Sequence, residues 1–285
     1  MTFIQYLQAK KYSVVTVDRY SIYIKRFLTW LVDEELKAEE FIYTDLLEFM
    51  RYCQQRGVTK NTVHNILGIV RHYCNYLIHE GKRTDNPAAG VFIKGLVRKL
   101  PTNLLTMEEM EELYKQYSLQ LHVDASKKIM FGLMIYQGLS VGEIMRLQGH
   151  HIKMKDGKIF IKGTKRTNER LLNLQAVQIT ELQNYLQKNK FKEGALFIEV
   201  IKKEVSERNI NNRIKYMFDQ LKKLNLKIIN AKQIRSSVIT FWLRQNNLRQ
   251  VQYMAGHKYV SSTERYQVNN LDDLQNELKE HHPMK

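Results

Sequence analysis

Lys232 and Arg235 in KQIR, His257 in AGHK and Tyr266 in STERY place two cations, an imidazole and a phenol within 35 residues. Side chains of these types can hold a phosphodiester and attack it without a metal. Lys232 and Arg235 are three apart in a segment that reads as helix, so both leave one face. The arginine offers a planar fork to two phosphate oxygens, and the lysine a mobile point charge or proton donor. A phenol, with a pKa near 10, becomes a nucleophile when neighbouring cations lower it. An imidazole near 6.5 can donate to a non-bridging oxygen or handle a proton. Each residue also has a plain structural reading: Tyr266 as one of 16 tyrosines at a core edge, and His257 as a satisfied helix-end histidine. Lys165 lies in the string IFIKGTKRTNERLLNL, at the turn between two short strands. One well-placed ammonium there can protonate a leaving 5′ oxygen. The competing reading takes Lys162, Lys165, Arg166 and Arg170 together as a solvated basic turn.

The elements that must position these groups fall into two regions. The first hundred residues read as helices throughout. Ser13 or Thr16 caps a segment whose Val17, Tyr20, Ile24, Phe27, Leu28 and Leu31 share a face. Asp45 to Arg56 repeats the pattern until Gly57, and Thr62 starts a third long helix that runs to Gly81. Lys60, Asn61, His64, Arg71 and His72 surround or interrupt that third stripe, either as a solvated face or as a phosphate-touching one. From Lys82 to Pro101 the chain is punctuated by Asn86-Pro87, Gly90, Gly95 and the basic pair Arg98-Lys99, which reads as a linker. Thr106 and Glu109 then form a capping box. The second region is mixed. Apolar helices over Asp124 to Tyr136 and Val141 to Leu147 precede strands Lys158 to Lys162 and Arg170 to Leu174. Further helices follow from Leu174 and over Asn209 to Leu224, Lys232 to Gln245 and Leu248 to Gly256.

Composition limits what this chemistry can act on. The 285 residues carry 45 Lys and Arg against 29 Asp and Glu, a formal charge of +16, with the excess in both halves. A polyanion is the partner such a balance favours, through phosphate contacts and counterion release. No apolar run is long enough for a membrane span, and no signal peptide is evident. Cys53 and Cys74 are isolated and fit a reducing cytosol, so the expected location is cytoplasmic. The glycines form no phosphate-cradling loop, so no nucleotide cofactor is expected. The pairs His150-His151 and His281-His282 do not amount to a metal site.

In combination the motifs resemble those of the tyrosine recombinases of the phage integrase family, across essentially the whole chain. GTK followed by NER resembles the family's hairpin bearing the catalytic lysine, which puts that role on Lys165. KQIR resembles the box in which a histidine or lysine precedes the second arginine by three, and AGHKYVSSTERY the closing motif, with Tyr266 as nucleophile. The resemblance implies a mainly α, two-domain fold: a helical core-binding bundle over 1–83, a basic linker over 84–103, and an α+β catalytic domain over 104–285. That catalytic domain would hold a small antiparallel sheet and a C-terminal oligomerisation helix around Leu271, Leu274 and Leu278. It implies site-specific DNA strand exchange through a 3′-phosphotyrosine, without ATP or a metal. The implied partners are double-stranded DNA with inverted core sites and further copies of the chain, as a tetramer on DNA. DNA contacts would come from Lys60, Asn61, His64, Arg71, Arg98, Lys99 and Arg166. Two other classes stay open: a type IB topoisomerase-like strand transferase, and a DNA-binding regulator that does not cleave.

The departure from the family lies in YQGLSVGEIMRL, where the family reads T-G-L-R-x-x-E-L. Glu143 matches the glutamate, but Ser140 occupies the place of the arginine that clamps the scissile phosphate. Losing a charge-assisted donor of this kind costs about 2–4 kcal/mol, or about 30- to 1,000-fold in rate. Three accounts follow. Another cation fills the corner, from Lys127, Lys128 or Arg146 with Lys128 the first nominee; Ser140 and the remaining groups suffice for a slow reaction; or the protein binds DNA without cleaving it.

Overall fold

Ser13 and Thr59 start the two longest helices of the N-terminal half, each by accepting the backbone N–H three residues on. The computed structural model describes residues 1–95, 103–120, 123–189, 194–197 and 207–267. The chain divides into two units, Met1–Arg98 and Lys99–Lys285.

The first unit is helical: α1 (Phe3–Ala9), α2 (Val14–Asp33), α3 (Tyr43–Gln55) and α4 (Lys60–His79). The third long helix begins slightly earlier than the sequence suggests, because Thr59 rather than Thr62 is its cap. The apolar stripes meet in an aromatic core in which Phe27 stands edge-on to Phe49 at 4.9 Å, with Trp30 and Phe41 beside them. Cys53 and Cys74 are free and buried in this core. The first part of the stretch expected as a linker is packed into this unit. Ala88 and Val91 are core residues, and Arg71 donates Nε to the Ala88 carbonyl (3.0 Å) and Nη2 to the Val91 carbonyl (2.9 Å). Arg83, itself buried, caps Phe41 through its carbonyl at 2.7 Å.

The second unit begins with α5 (Met107–Ser118), started by the Thr106 and Glu109 capping box, and continues with α6 (Ala125–Tyr136) and α7 (Val141–Met145). Strands β1 (Ile152–Lys153), β2 (Lys158–Ile161) and β3 (Arg170–Asn173) make one antiparallel sheet in that order. The two strands expected from sequence are present. The third, β1, spans two residues and gives no alternation for a sequence pattern to report. Helices α8 (Ala176–Asn189), α9 (Glu207–Leu224), α10 (Ala231–Gln245) and α11 (Leu248–Ala255) follow, then a helical segment over 261–267. Helix α6 is buried along Ile129 to Ile135 and packs against α5, α8, α9 and α10, which makes it the central pillar of this unit. The fold is therefore mainly helical with one small antiparallel sheet. No helix among the described residues is long and apolar enough to cross a membrane.

Candidate active site

Ser140 ends the turn after α6 and caps α7. Its backbone N–H donates to Glu143 Oε2 at 2.9 Å and its hydroxyl to the same oxygen at 2.7 Å. This is an S-x-x-E capping arrangement, and it commits the hydroxyl proton at position 140 to Glu143. Glu143 is buried and central. Arg170 Nη1 lies 2.6 Å from its Oε1, and Arg235 Nη1 3.1 Å from its Oε2. Burial works to raise the Glu143 carboxyl. The Arg170 hydrogen bond and the charges of Arg235 and Arg170 override it and hold the carboxyl at about 2. Two guanidinium groups against one carboxylate leave the cluster with net positive charge.

Arg235 ties three parts of the unit together. Besides Glu143 it reaches the Gly138 carbonyl (2.5 Å) and the Ala255 carbonyl (2.6 Å), joining the turn after α6 to the end of α11. Burial lowers its pKa; Glu143 opposes that and Arg170 adds to it. Gly138 must be glycine here: its φ is +59°, and a Cβ would stand 3.0 Å from the Trp242 ring. Lys232 is exposed in the first turn of α10, where Asn230 caps its N–H at 3.0 Å.

His257 follows Gly256, which closes α11 in the left-handed conformation (φ +68°). Its Nδ1 pairs with the Thr263 hydroxyl at 2.9 Å, and its ring stacks on Tyr266 at 6.0 Å with 12° between planes. Thr263 is fully buried, so the pair fixes the ring while leaving Nε2 for another partner. Burial first, then the charges of Arg235 and Arg170, lower His257 to about 4, so the imidazole is neutral near pH 7. Tyr266 is half-buried at the edge of the core and near Arg235, whose pKa it acts to raise.

The β2–β3 hairpin is docked onto the His257 turn. Asn168 N–H donates to the Gly256 carbonyl at 3.0 Å, Thr167 bridges His257 and Lys258 Nζ reaches the Lys165 carbonyl at 3.4 Å. Lys165 and Arg166 are exposed at the tip. Gly163 allows the tight turn, since a Cβ would come within 2.8 Å of the Glu169 backbone nitrogen.

The structure thus brings Ser140, Glu143, Arg235, His257 and Tyr266 together and presents Lys165 on an element docked to the same place. It does not bring Lys128 there: that ammonium is ion-paired with Glu181 and stands over the Tyr114 ring. Arg146 is the exposed C-cap residue that follows α7, with its guanidinium beside Gly142. Arg170 is not part of a solvated turn. It is buried on the inner face of β3 with Leu172, opposite Ile161. Its place in the cluster was missed, although one signal was available: alternation along RLLNL puts Arg170 on the same face as Leu172 and Leu174. Thr263 was missed for lack of any local pattern.

Of the expected DNA contacts, Lys60, Asn61 and His64 are exposed on α4, whereas Arg71 turns its donors into the first unit. His72 stacks on Tyr20 and meets Tyr12 edge to face. Arg98, Lys99 and the expected oligomerisation helix lie outside the described residues. Among the described residues no cluster of three or more His, Cys, Asp or Glu side chains is placed to hold a metal ion.

Known proteins resemble this chain in sequence and in fold. The profile described as "Phage integrase family" matches residues 103–272, and that described as "Phage integrase, N-terminal SAM-like domain" matches residues 1–81. The tyrosine recombinase XerC of Anoxybacillus flavithermus is 25% identical over 292 residues, covering 99% of this chain and 96% of the relative. XerD of Proteus mirabilis is 24% identical over 278 residues, covering 95% and 88%. The fold resembles that of the Tn1549 transposon integrase in complex with transposon right end DNA. That match has a TM-score of 0.69 at 14% identity and covers 99% of this chain and 100% of the other. It also resembles a lambda integrase tetramer bound to a Holliday junction, with a TM-score of 0.68 at 16% identity, covering 93% and 74%. The profile match spans more than half of the sequence and includes every residue of the Glu143 cluster, so the chain belongs to the phage integrase family.

Proposed function

We propose that this protein is a site-specific DNA recombinase in which Tyr266 is the nucleophile, of the type that lacks the first arginine of the family's phosphate clamp. The observation that carries the reading is the stacking of His257 on Tyr266 beside Arg235, which is locked in place by Glu143 and two backbone carbonyls. A rigid cation and a neutral imidazole next to a phenol form a site that binds a phosphodiester and stabilises charge as it develops.

In the proposed reaction the phenol of Tyr266 gives up its proton to solvent as its oxygen attacks phosphorus in line. The new bond forms as the bond to the 5′ oxygen breaks, leaving a 3′-phosphotyrosine, and Lys165 protonates the departing oxygen. Arg235 and Lys232 offset charge on the non-bridging oxygens, and His257 donates from Nε2. A 5′-hydroxyl of the partner strand then reverses the step, so bond energy is conserved and neither ATP nor magnesium is consumed. By analogy with relatives described as dimers and a tetramer on DNA, the substrate is duplex DNA with inverted core sites and the active form is a tetramer. Lys60, Asn61, His64 and Arg166, all exposed, are the proposed DNA contacts.

The test is covalent trapping on a nicked suicide duplex made from the native DNA flanking the coding sequence. The wild-type protein should form an adduct in the presence of EDTA and Tyr266→Phe none; an adduct that persists in Tyr266→Phe rejects the nucleophile. Exchange between two marked duplexes separates a recombinase from a topoisomerase-like enzyme, which rejoins only the original strand.

A further inference from the structure

Two nitrogens of the Arg170 guanidinium, Nε and Nη2, are buried and have no hydrogen-bond partner among the described residues. The third, Nη1, is held by Glu143 at 2.6 Å, and both side chains are almost wholly buried. Unpartnered N–H groups on a buried cation are costly, and in a native fold each calls for an explanation, a bound ion or a catalytic role among them.

The surroundings favour an anion bound beside His257 and Glu143. Arg170 reaches Glu143 on one side, and on the other its guanidinium lies against Gly256, where a Cβ would collide with it. Gly256 precedes His257, and the Arg170 charge acts on that imidazole. Arg170 therefore stands between the residue that shares a cap with Ser140 and the residue that stacks on Tyr266. Without it, Glu143 would neutralise Arg235 and leave the pair with no net charge for an anion. With it, the cluster carries one positive charge in excess. Ser140 contributes none, and its hydroxyl proton is already committed to Glu143.

We propose that Arg170 supplies the positive charge missing at position 140. It compensates Glu143, so that Arg235 keeps its charge for the scissile phosphate, and it offers Nε–H and Nη2–H to a non-bridging oxygen. The same corner is thus served from the second hairpin strand instead of from the start of α7. This inference rests on the recombinase reading given above.

The test compares cleavage of the suicide duplex with cleavage of the same duplex carrying a methylphosphonate at the scissile position, where one non-bridging oxygen and its charge are removed. Arg170→Met, neutral and of similar length, should cleave the phosphodiester about 30- to 1,000-fold more slowly than wild type, the cost of one charge-assisted donor. On the methylphosphonate it should lose less than about tenfold. Adding Ser140→Arg to Arg170→Met should restore phosphodiester cleavage. Equal losses on both substrates, or an unchanged rate, would overturn the assignment. If Arg170→Met fails to fold, Arg170→Lys keeps the ion pair with Glu143 but not the fork; it should be slowed on the phosphodiester only, and a wild-type rate there would equally overturn it. Absence of any adduct with the wild-type protein would instead strike the recombinase reading itself.

Discussion

Arg170 and Glu143 form a buried ion pair, Nη1 to Oε1 at 2.6 Å, that links strand β3 to helix α7. The second carboxylate oxygen holds Arg235 on α10, so one acidic residue registers three elements. Breaking such a pair from one side leaves an uncompensated buried charge, a cost of about 3–5 kcal/mol. Glu143→Gln should show that loss in chemical denaturation, together with loss of cleavage.

Acid should act on the same cluster in two legs. His257 is at about 4 in the folded protein against an ordinary 6.5, so between those values the unfolded chain binds more protons. Stability is therefore full above about pH 6.5 and falls as the pH drops toward 4. Glu143, at about 2 against 4.5, continues the loss from about pH 4.5 downward. Burial lowers His72 and His151 as well, so the first leg is shared. Thermal melts should show a falling midpoint from pH 7 to 4, and His257→Gln should flatten the share that belongs to the site.

Gly256→Ala should be more harmful than an ordinary glycine replacement. It places a side chain at φ +68° and drives a Cβ into the Arg170 guanidinium. The backbone cost alone is about 1–2 kcal/mol, and cleavage should fall further than stability accounts for. Gly157 is the control: φ is +60° with open space around it, so Gly157→Ala should cost about as much stability and leave cleavage unchanged.

Thr263 orients His257 without facing the phosphate. Thr263→Val removes the partner of Nδ1 from a fully buried position. Cleavage should fall roughly tenfold, the rate equivalent of one net hydrogen bond. Thr263→Ser, which retains the hydroxyl, should stay near wild type; equal losses in both would show that packing matters there and the hydrogen bond does not.

Lys60 and Arg71 should behave differently although both lie on α4. Lys60 is exposed, so Lys60→Ala should reduce the salt dependence of DNA binding by about one unit of slope with no change in stability. Arg71 fastens Ala88 and Val91 to the first unit, so Arg71→Ala should lower stability by about 1–3 kcal/mol, read by denaturant midpoint.

The sequence by itself determined the helices, the hairpin and the order of the reactive groups. Those features are local: apolar residues recur at the helical period, Thr106 and Glu109 cap at fixed spacing, and a glycine-bearing turn separates two strands. It also exposed the serine at position 140, because a missing charge is visible in a motif. What stood in for that charge was not legible there. Arg170 is 30 residues away in a string rich in cations, and its neighbours in sequence, Lys165 and Arg166, are solvated. Alternation along RLLNL puts Arg170 on the apolar face, but only the tertiary structure shows that this face meets Glu143 while the tip of the same hairpin stays in water. In the same way α4 looks basic along one stretch, yet packing assigns Lys60 to the surface and Arg71 to the fold. Burial and partner choice depend on elements distant in the chain, so spacing that names the chemistry cannot say which cation will perform it.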